Sequence, residues 1–136
     1  MPELSDKLKP GLTGTAEIVV GTRDTAPHVG SGKIGVLATP IMVNLMEAAA
    51  LQAVERFMPA GHQTVGTHLD VKHFAATPVG MRVVAHAELV KVEGRTLTFR
   101  IRAEDEREAI GEGMHERLII NVERFDVRMQ RKLGKA

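Results

Sequence analysis

Apolar and polar positions alternate most cleanly at residues 97–102, where Leu97, Phe99 and Ile101 interleave with Thr98, Arg100 and Arg102. A period of two is that of a strand with one face on a core and the other in water. Val83, Ala85, Ala87 and Leu89 alternate in the same way with Val84, His86, Glu88 and Val90. The period changes across 41–54. There Met42, Leu45, Met46, Ala49, Ala50 and Ala53 recur at steps of three and four, which predicts a helix. Asn44, Gln52, Glu55 and Arg56 mark its wetter side. Such a helix, rich in Ala and apolar around most of its girth, is expected to be wrapped closely by a sheet. Thr39 reads as its N-cap and Pro40 as its first residue, and Pro59-Ala60-Gly61 ends it.

Residues 12–22 read as a further strand, closing on the β-branched Ile18-Val19-Val20. Residues 23–37, with Pro27, Gly30, Gly32 and Gly35, read as a long loop, and a loop of this length inside a domain is usually functional or disordered. Four strands are expected after the helix, at roughly 63–74, 81–92, 95–105 and 109–125. Pro78-Val79-Gly80 and Val92-Glu93-Gly94-Arg95 are the turns between the first three. Strand, helix and four strands predict an α+β architecture, one helix lying across an antiparallel sheet. On pattern alone a cystatin-like or other one-helix sheet fits equally. The expected organisation is a flexible arm at 1–11, one domain at 12–125 and a basic tail at 126–136.

A length of 136 residues agrees with one domain, and 43 % hydrophobic with 26 % charged residues is ordinary for a globular chain. A net charge of +1 offers no large field for nucleic acid, and four Phe are the only large aromatics, so base-stacking platforms are scarce. Arg128, Arg131, Lys132 and Lys135 near the end read as a solvated C-terminus. The absence of Cys excludes disulfides, thiolate metal sites and a Cys nucleophile, and it fits a reducing compartment. The first twelve residues hold no apolar signal core, and the longest apolar stretch is too short to span a bilayer. A cytoplasmic protein with neither a membrane nor a nucleic-acid partner is expected.

Three residues are placed for acyl chemistry. Thr39 stands where the first amides of a helix point outward, unpaired and partly positive, able to polarise a carbonyl. Glu47 has Val43, Ala50, Leu51 and Val54 around it, and a carboxylate in apolar company needs a partner or a raised pKa. His73 sits where a strand runs into a turn, and could pair with Glu47, acting as a general base or as a nucleophile. Each also has a plainer role, as a cap, a solvated helix Glu and a surface His. Eight residues of helix span about 12 Å, so Thr39 and Glu47 cannot bond directly, but a thioester can lie between them. No metal or other cofactor is expected. His62, His68, His86 and His115 make no set with His73, and His68 and His73 fall on opposite faces of an unbroken strand. Gly30-Ser31-Gly32-Lys33-Ile34-Gly35 matches the dinucleotide glycine pattern in letters, but no strand directly precedes it and no helix opens on it.

Taken together, three stretches carry a resemblance. They are Ala38-Thr39-Pro40 with Glu47, Gly66-Thr67-His68 leading to His73-Phe74-Ala75-Ala76-Thr77-Pro78-Val79-Gly80, and Gly113-Met114-His115-Glu116-Arg117. Over roughly 12–125 the chain resembles the fluoroacetyl-CoA thioesterase family of hot-dog-fold proteins. The resemblance implies a long central helix wrapped by a five-stranded antiparallel sheet, and hydrolysis of a small acyl-CoA thioester. It further implies Thr39, Glu47 and His73 as the catalytic constellation, Gly66 near the acyl group, Arg117 at the site, and a homodimer with the active site at the subunit interface. The alternative is a non-catalytic module that binds an acyl-CoA or small acid on the same fold. A hydratase of this fold usually carries an Asp followed five positions later by His, which neither Asp24 nor Asp70 has. One departure is plain. The fluoroacetyl-specific enzyme closes its pocket with a Phe-bearing lid, whereas 27–37 has no Phe and places Gly30 and Lys33 near those positions. The acyl group is therefore left open.

Overall fold

A computed structural model describes residues 2–135. Its strands are β1 (Thr13–Val19), β2 (His62–His73), β3 (Arg82–Glu93), β4 (Thr96–Asp105) and β5 (Ala109–Asn121). Its helices are the single turn α1 (Ala26–Val29), the long α2 (Thr39–Val54) and α3 (Val122–Lys132). The five strands form one sheet in the order β1-β3-β4-β5-β2, antiparallel at every pairing. The helix α2 crosses one face of the sheet, packing chiefly on β1 and β3. The α+β expectation and the two clearest alternations hold. Val83, Ala85, Leu89, Leu97, Phe99 and Ile101 are all fully buried.

Small residues set how closely helix and sheet approach. Ala49, Ala50 and Ala53 on α2 meet a sheet face carrying Ala85, Ala87 and, on β1, Gly14. A Cβ on Gly14 would fall on the carbonyl oxygen of Ala49 and 2.6 Å from the nitrogen of Ala53. The glycine is there because the strand lies on helix backbone, not on side chains.

Several boundaries differ from the expectation, each for a local reason. The N-cap of α2 is Ala38, extended at ψ 139°, and Thr39 is the first helical residue with Pro40 second. The Thr39 hydroxyl therefore caps nothing. The fifth strand stops at Asn121, not near 125, because the Asn121 side chain accepts the Arg124 amide at 3.0 Å and starts α3. The tail expected at 126–136 is thus helical through Lys132, with no buried residue. Within the arm, Leu8 joins the core, and the Gly11 amide donates to the Leu89 carbonyl at 2.9 Å. The loop at 23–37 holds α1 and is pinned at its root by bridges between Thr25 and Leu37 and between Val36 and Pro78. Among the described residues no helix is long and apolar enough to cross a membrane.

Candidate functional site

The first turn of α2 presents few free amides. The Ala38 carbonyl accepts the amides of Ile41 at 3.0 Å and Met42 at 3.1 Å, and Pro40 has none to give. The Thr39 amide is the first-turn donor left to point outward. Its hydroxyl lies 2.7 Å from His73 Nδ1, at the last residue of β2. Either Thr39 donates to Nδ1, with the imidazole proton on Nε2, or Nδ1 donates to Thr39 Oγ1 and Nε2 is the basic nitrogen. His73 is half-buried, and burial lowers its pKa below the ordinary 6.5, so the ring is neutral at pH 7. Its Nε2 is buried and has no hydrogen-bond partner among the described residues.

Glu47, two turns along α2, belongs to a second group. Arg117 Nη1 donates to Glu47 Oε2 at 3.4 Å, and Arg117 is itself buried, its Nε donating to Thr64 Oγ1 at 2.9 Å and its Nη2 to the Thr64 carbonyl at 3.2 Å. The orphan carboxylate of the sequence thus finds its countercharge on β5. His115, fully buried, shares the face of β5 with Arg117. Its Nδ1 lies 2.8 Å from the His68 carbonyl, which can only accept, so Nδ1 carries the proton and Nε2 accepts from Arg117 Nη1 at 3.2 Å. Burial first, and the Arg117 charge second, lower the His115 pKa and hold it neutral. Gly66 closes this group. A Cβ there would meet Glu47 Oε2 at 2.5 Å and Arg117 Nη1 at 3.4 Å, so only glycine lets the ion pair rest against β2. The register shift between Gly66 and His68 leaves Thr67 without a cross-strand partner, a bulge that bends the edge strand at this point.

All five residues singled out in the sequence thus enter two clusters. One is Thr39 with His73, and the other is Glu47 with Gly66 and Arg117. The expected Glu47–His73 pairing does not occur within the chain: the Glu47 carboxylate meets Arg117, and His73 lies against Thr39, two turns of α2 away. Two members were missed, Thr64 and His115. The period-two spacing of His115 and Arg117 on β5 was a usable signal, since it places both on one face. Nothing local in the sequence marks Thr64.

Comparison with known proteins agrees with this geometry. The family model described as FlK, fluoroacetyl-CoA-specific thioesterase, matches residues 20–123. The fluoroacetyl-CoA thioesterase of Streptantibioticus cattleyicolor is 37% identical over 135 residues, covering 95% of this chain and 97% of that one. A solved structure of the fluoroacetyl-CoA thioesterase FlK superposes with a TM-score of 0.88 at 37% identity, over 93% of this chain and 98% of that one. A hypothetical Thermus thermophilus protein described as a thioesterase superfamily member reaches a TM-score of 0.89 at 27% identity, over 96% and 97% of the two chains. A helix laid across a five-stranded sheet, the hot-dog arrangement, is therefore shared with thioesterases along nearly the whole length. By its matched residues, its identity and its fold, the chain belongs to the fluoroacetyl-CoA-specific thioesterase family.

Proposed function

We propose that this protein is a thioester hydrolase acting on a short acyl-CoA, with Thr39, Glu47 and His73 as its catalytic residues and Gly66 and Arg117 supporting the acyl site. The observation that carries the reading is the 2.7 Å contact between the Thr39 hydroxyl and His73 Nδ1 at the open end of α2. The thioester carbonyl docks at the Thr39 amide, where the helix end favours the developing oxyanion. His73, neutral at pH 7 and basic at Nε2 when its Nδ1 donates to Thr39 Oγ1, and Glu47 are the bases available to activate water. Arg117 pairs with the Glu47 carboxylate and aims it. A cytoplasmic setting fits the cysteine-free composition.

The same reading makes the working unit a homodimer. Residues 66–70 of the edge strand β2 are exposed, and Leu69, Phe74 and Met114 leave apolar surface uncovered beside them. An edge strand with free amides and carbonyls invites a second strand. A two-fold axis at the middle of that stretch, near His68, sets His73 against the 63–64 end of the partner's β2. Thr64, which holds Arg117, lies at that end. Thr39 and Glu47 stand about 12 Å apart along one helix, so one subunit's Thr39 and His73 would meet the other's Glu47 and Arg117 across the interface.

Two measurements test these statements. Thiol release from acetyl-, fluoroacetyl-, butyryl-, phenylacetyl- and benzoyl-CoA reports hydrolysis, and the cysteine-free protein adds no background. Turnover of one or more is expected; a flat panel from folded protein, with acyl-CoA still bound, points instead to the binding module. For the interface, His73→Ala and Glu47→Gln protomers are refolded as an equal mixture. Each mixed dimer then carries one intact site, and about a quarter of the wild-type activity returns. A mixture as inactive as its parents places the whole site within one protomer.

A further inference from the structure

The cavity in front of Thr39 and His73 has a volume of about 400 Å³ and is walled on its loop side by Ser31, Lys33 and Ile34. Among the described residues of one chain, Lys33 is, apart from His73, the one ionisable group on this wall, and no Asp or Glu of that chain lines it. Lys33 makes no ion pair among the described residues. The loop is held where it leaves the sheet, the Ala26 amide donating to the Val36 carbonyl at 3.0 Å and the Leu37 amide to the Thr77 carbonyl at 2.9 Å. Its tip turns on Gly30 at φ 81°. A fixed root keeps Lys33 on the wall of this cavity. Lys33 is exposed at the rim of this partly apolar wall, and its ammonium, without an ion-pair partner among the described residues, is free to receive an anionic group of the ligand.

A CoA ester offers two such groups, a phosphate or a carboxylate on the acyl chain. A sphere of 400 Å³ is about 9 Å across. The pantetheine arm places about thirteen bonds between sulfur and phosphorus, about 15 Å at the rise of an extended backbone. With the carbonyl at Thr39, the phosphates fall outside the cavity that Lys33 walls. A carboxylate two or three carbons beyond the carbonyl falls inside it. We propose that Lys33 is a specificity-determining residue that selects acyl groups ending in a carboxylate, the CoA half-thioesters of short dicarboxylic acids. The inference rests on the thioesterase reading above and goes beyond it in naming the acyl class.

The test compares kcat/KM for succinyl- and glutaryl-CoA with butyryl-CoA, in wild type, Lys33→Met and Lys33→Arg. Wild type is expected to favour the carboxylated esters. Lys33→Met should lose about 10- to 100-fold on them, the worth of one charge-assisted hydrogen bond. It should stay within about twofold on butyryl-CoA, and Lys33→Arg should retain most of the preference. An equal loss on all three CoA esters, absent with the matching N-acetylcysteamine thioesters, assigns Lys33 to a CoA phosphate and overturns the proposal. So does a Lys33→Met profile identical to wild type. Wild-type turnover of butyryl-CoA alone overturns the acyl class and leaves the thioesterase reading standing. No turnover of any thioester overturns both.

Discussion

His73→Ala is expected to lower kcat for the best acyl-CoA substrate by about 10²- to 10⁴-fold, the usual contribution of a positioned general base. The thermal midpoint should barely move, because the ring is half-buried at the end of an edge strand and its one side-chain bond is to the exposed Thr39 hydroxyl. Circular dichroism melting and thiol-release kinetics on the same samples separate loss of chemistry from loss of fold. An activity within about threefold of wild type would remove His73 from the catalytic set. The pH profile gives an independent check. Burial holds the folded-state pKa of His73 below 6.5, so the basic form persists at neutral pH. The acid limb of kcat/KM should therefore lie below pH 6.5, with activity lost as pH falls through it, and should vanish from the residual rate of His73→Ala. The sign follows from the direction of the shift: a cationic form disfavoured by burial is populated only at lower pH.

The second large effect concerns stability. Gly14→Ala should destabilise the protein by about 3 kcal/mol, the upper part of the range for overpacking, and lower the melting midpoint by on the order of 10 °C. The added methyl would meet helix backbone, the Ala49 carbonyl oxygen and the Ala53 nitrogen at 2.6 Å, and backbone has no rotamer with which to give way. Relief requires β1 to lift from α2, which also strains the Gln52 side chain that accepts the Thr15 amide at 3.1 Å. Gly66→Ala is a useful contrast. There the nearest atom is Glu47 Oε2, the end of a flexible side chain, so the strand can keep its place while the carboxylate is displaced. Equal melting points for Gly14→Ala and wild type would mean that the helix and sheet have slack the geometry does not suggest.

Strand and helix types were legible wherever the pattern reported a one-sided environment. Leu97, Phe99 and Ile101 pointed inward as their alternation required, and Met42, Met46, Ala49 and Ala53 faced the sheet as their spacing required. The same reading failed where one polar side chain overrode the trend. Asn121 ends β5 by capping α3, and the capping bond outweighs the weak strand preference of Val122 and Phe125. It also misplaced the start of α2 by one residue. That shift matters, because a Thr39 that capped the helix could not have turned its hydroxyl to His73.

The chain by itself determined its longer strands and central helix, its small net charge, its cysteine-free chemistry and Thr39, Glu47 and His73 as candidates, since each of these is read from residue types and motifs along the sequence. Which residue answers which was decided only by the tertiary structure. Thr39 meets His73 across 34 positions of sequence, and Glu47 meets Arg117 across 70, because β5 and β2 lie side by side in a register that puts Gly66 opposite Arg117. Sheet order and register are long-range outcomes of how a whole apolar face is buried, and no local period encodes them. The carboxylate that looked unpaired in the sequence meets a guanidinium on the fourth strand after its helix.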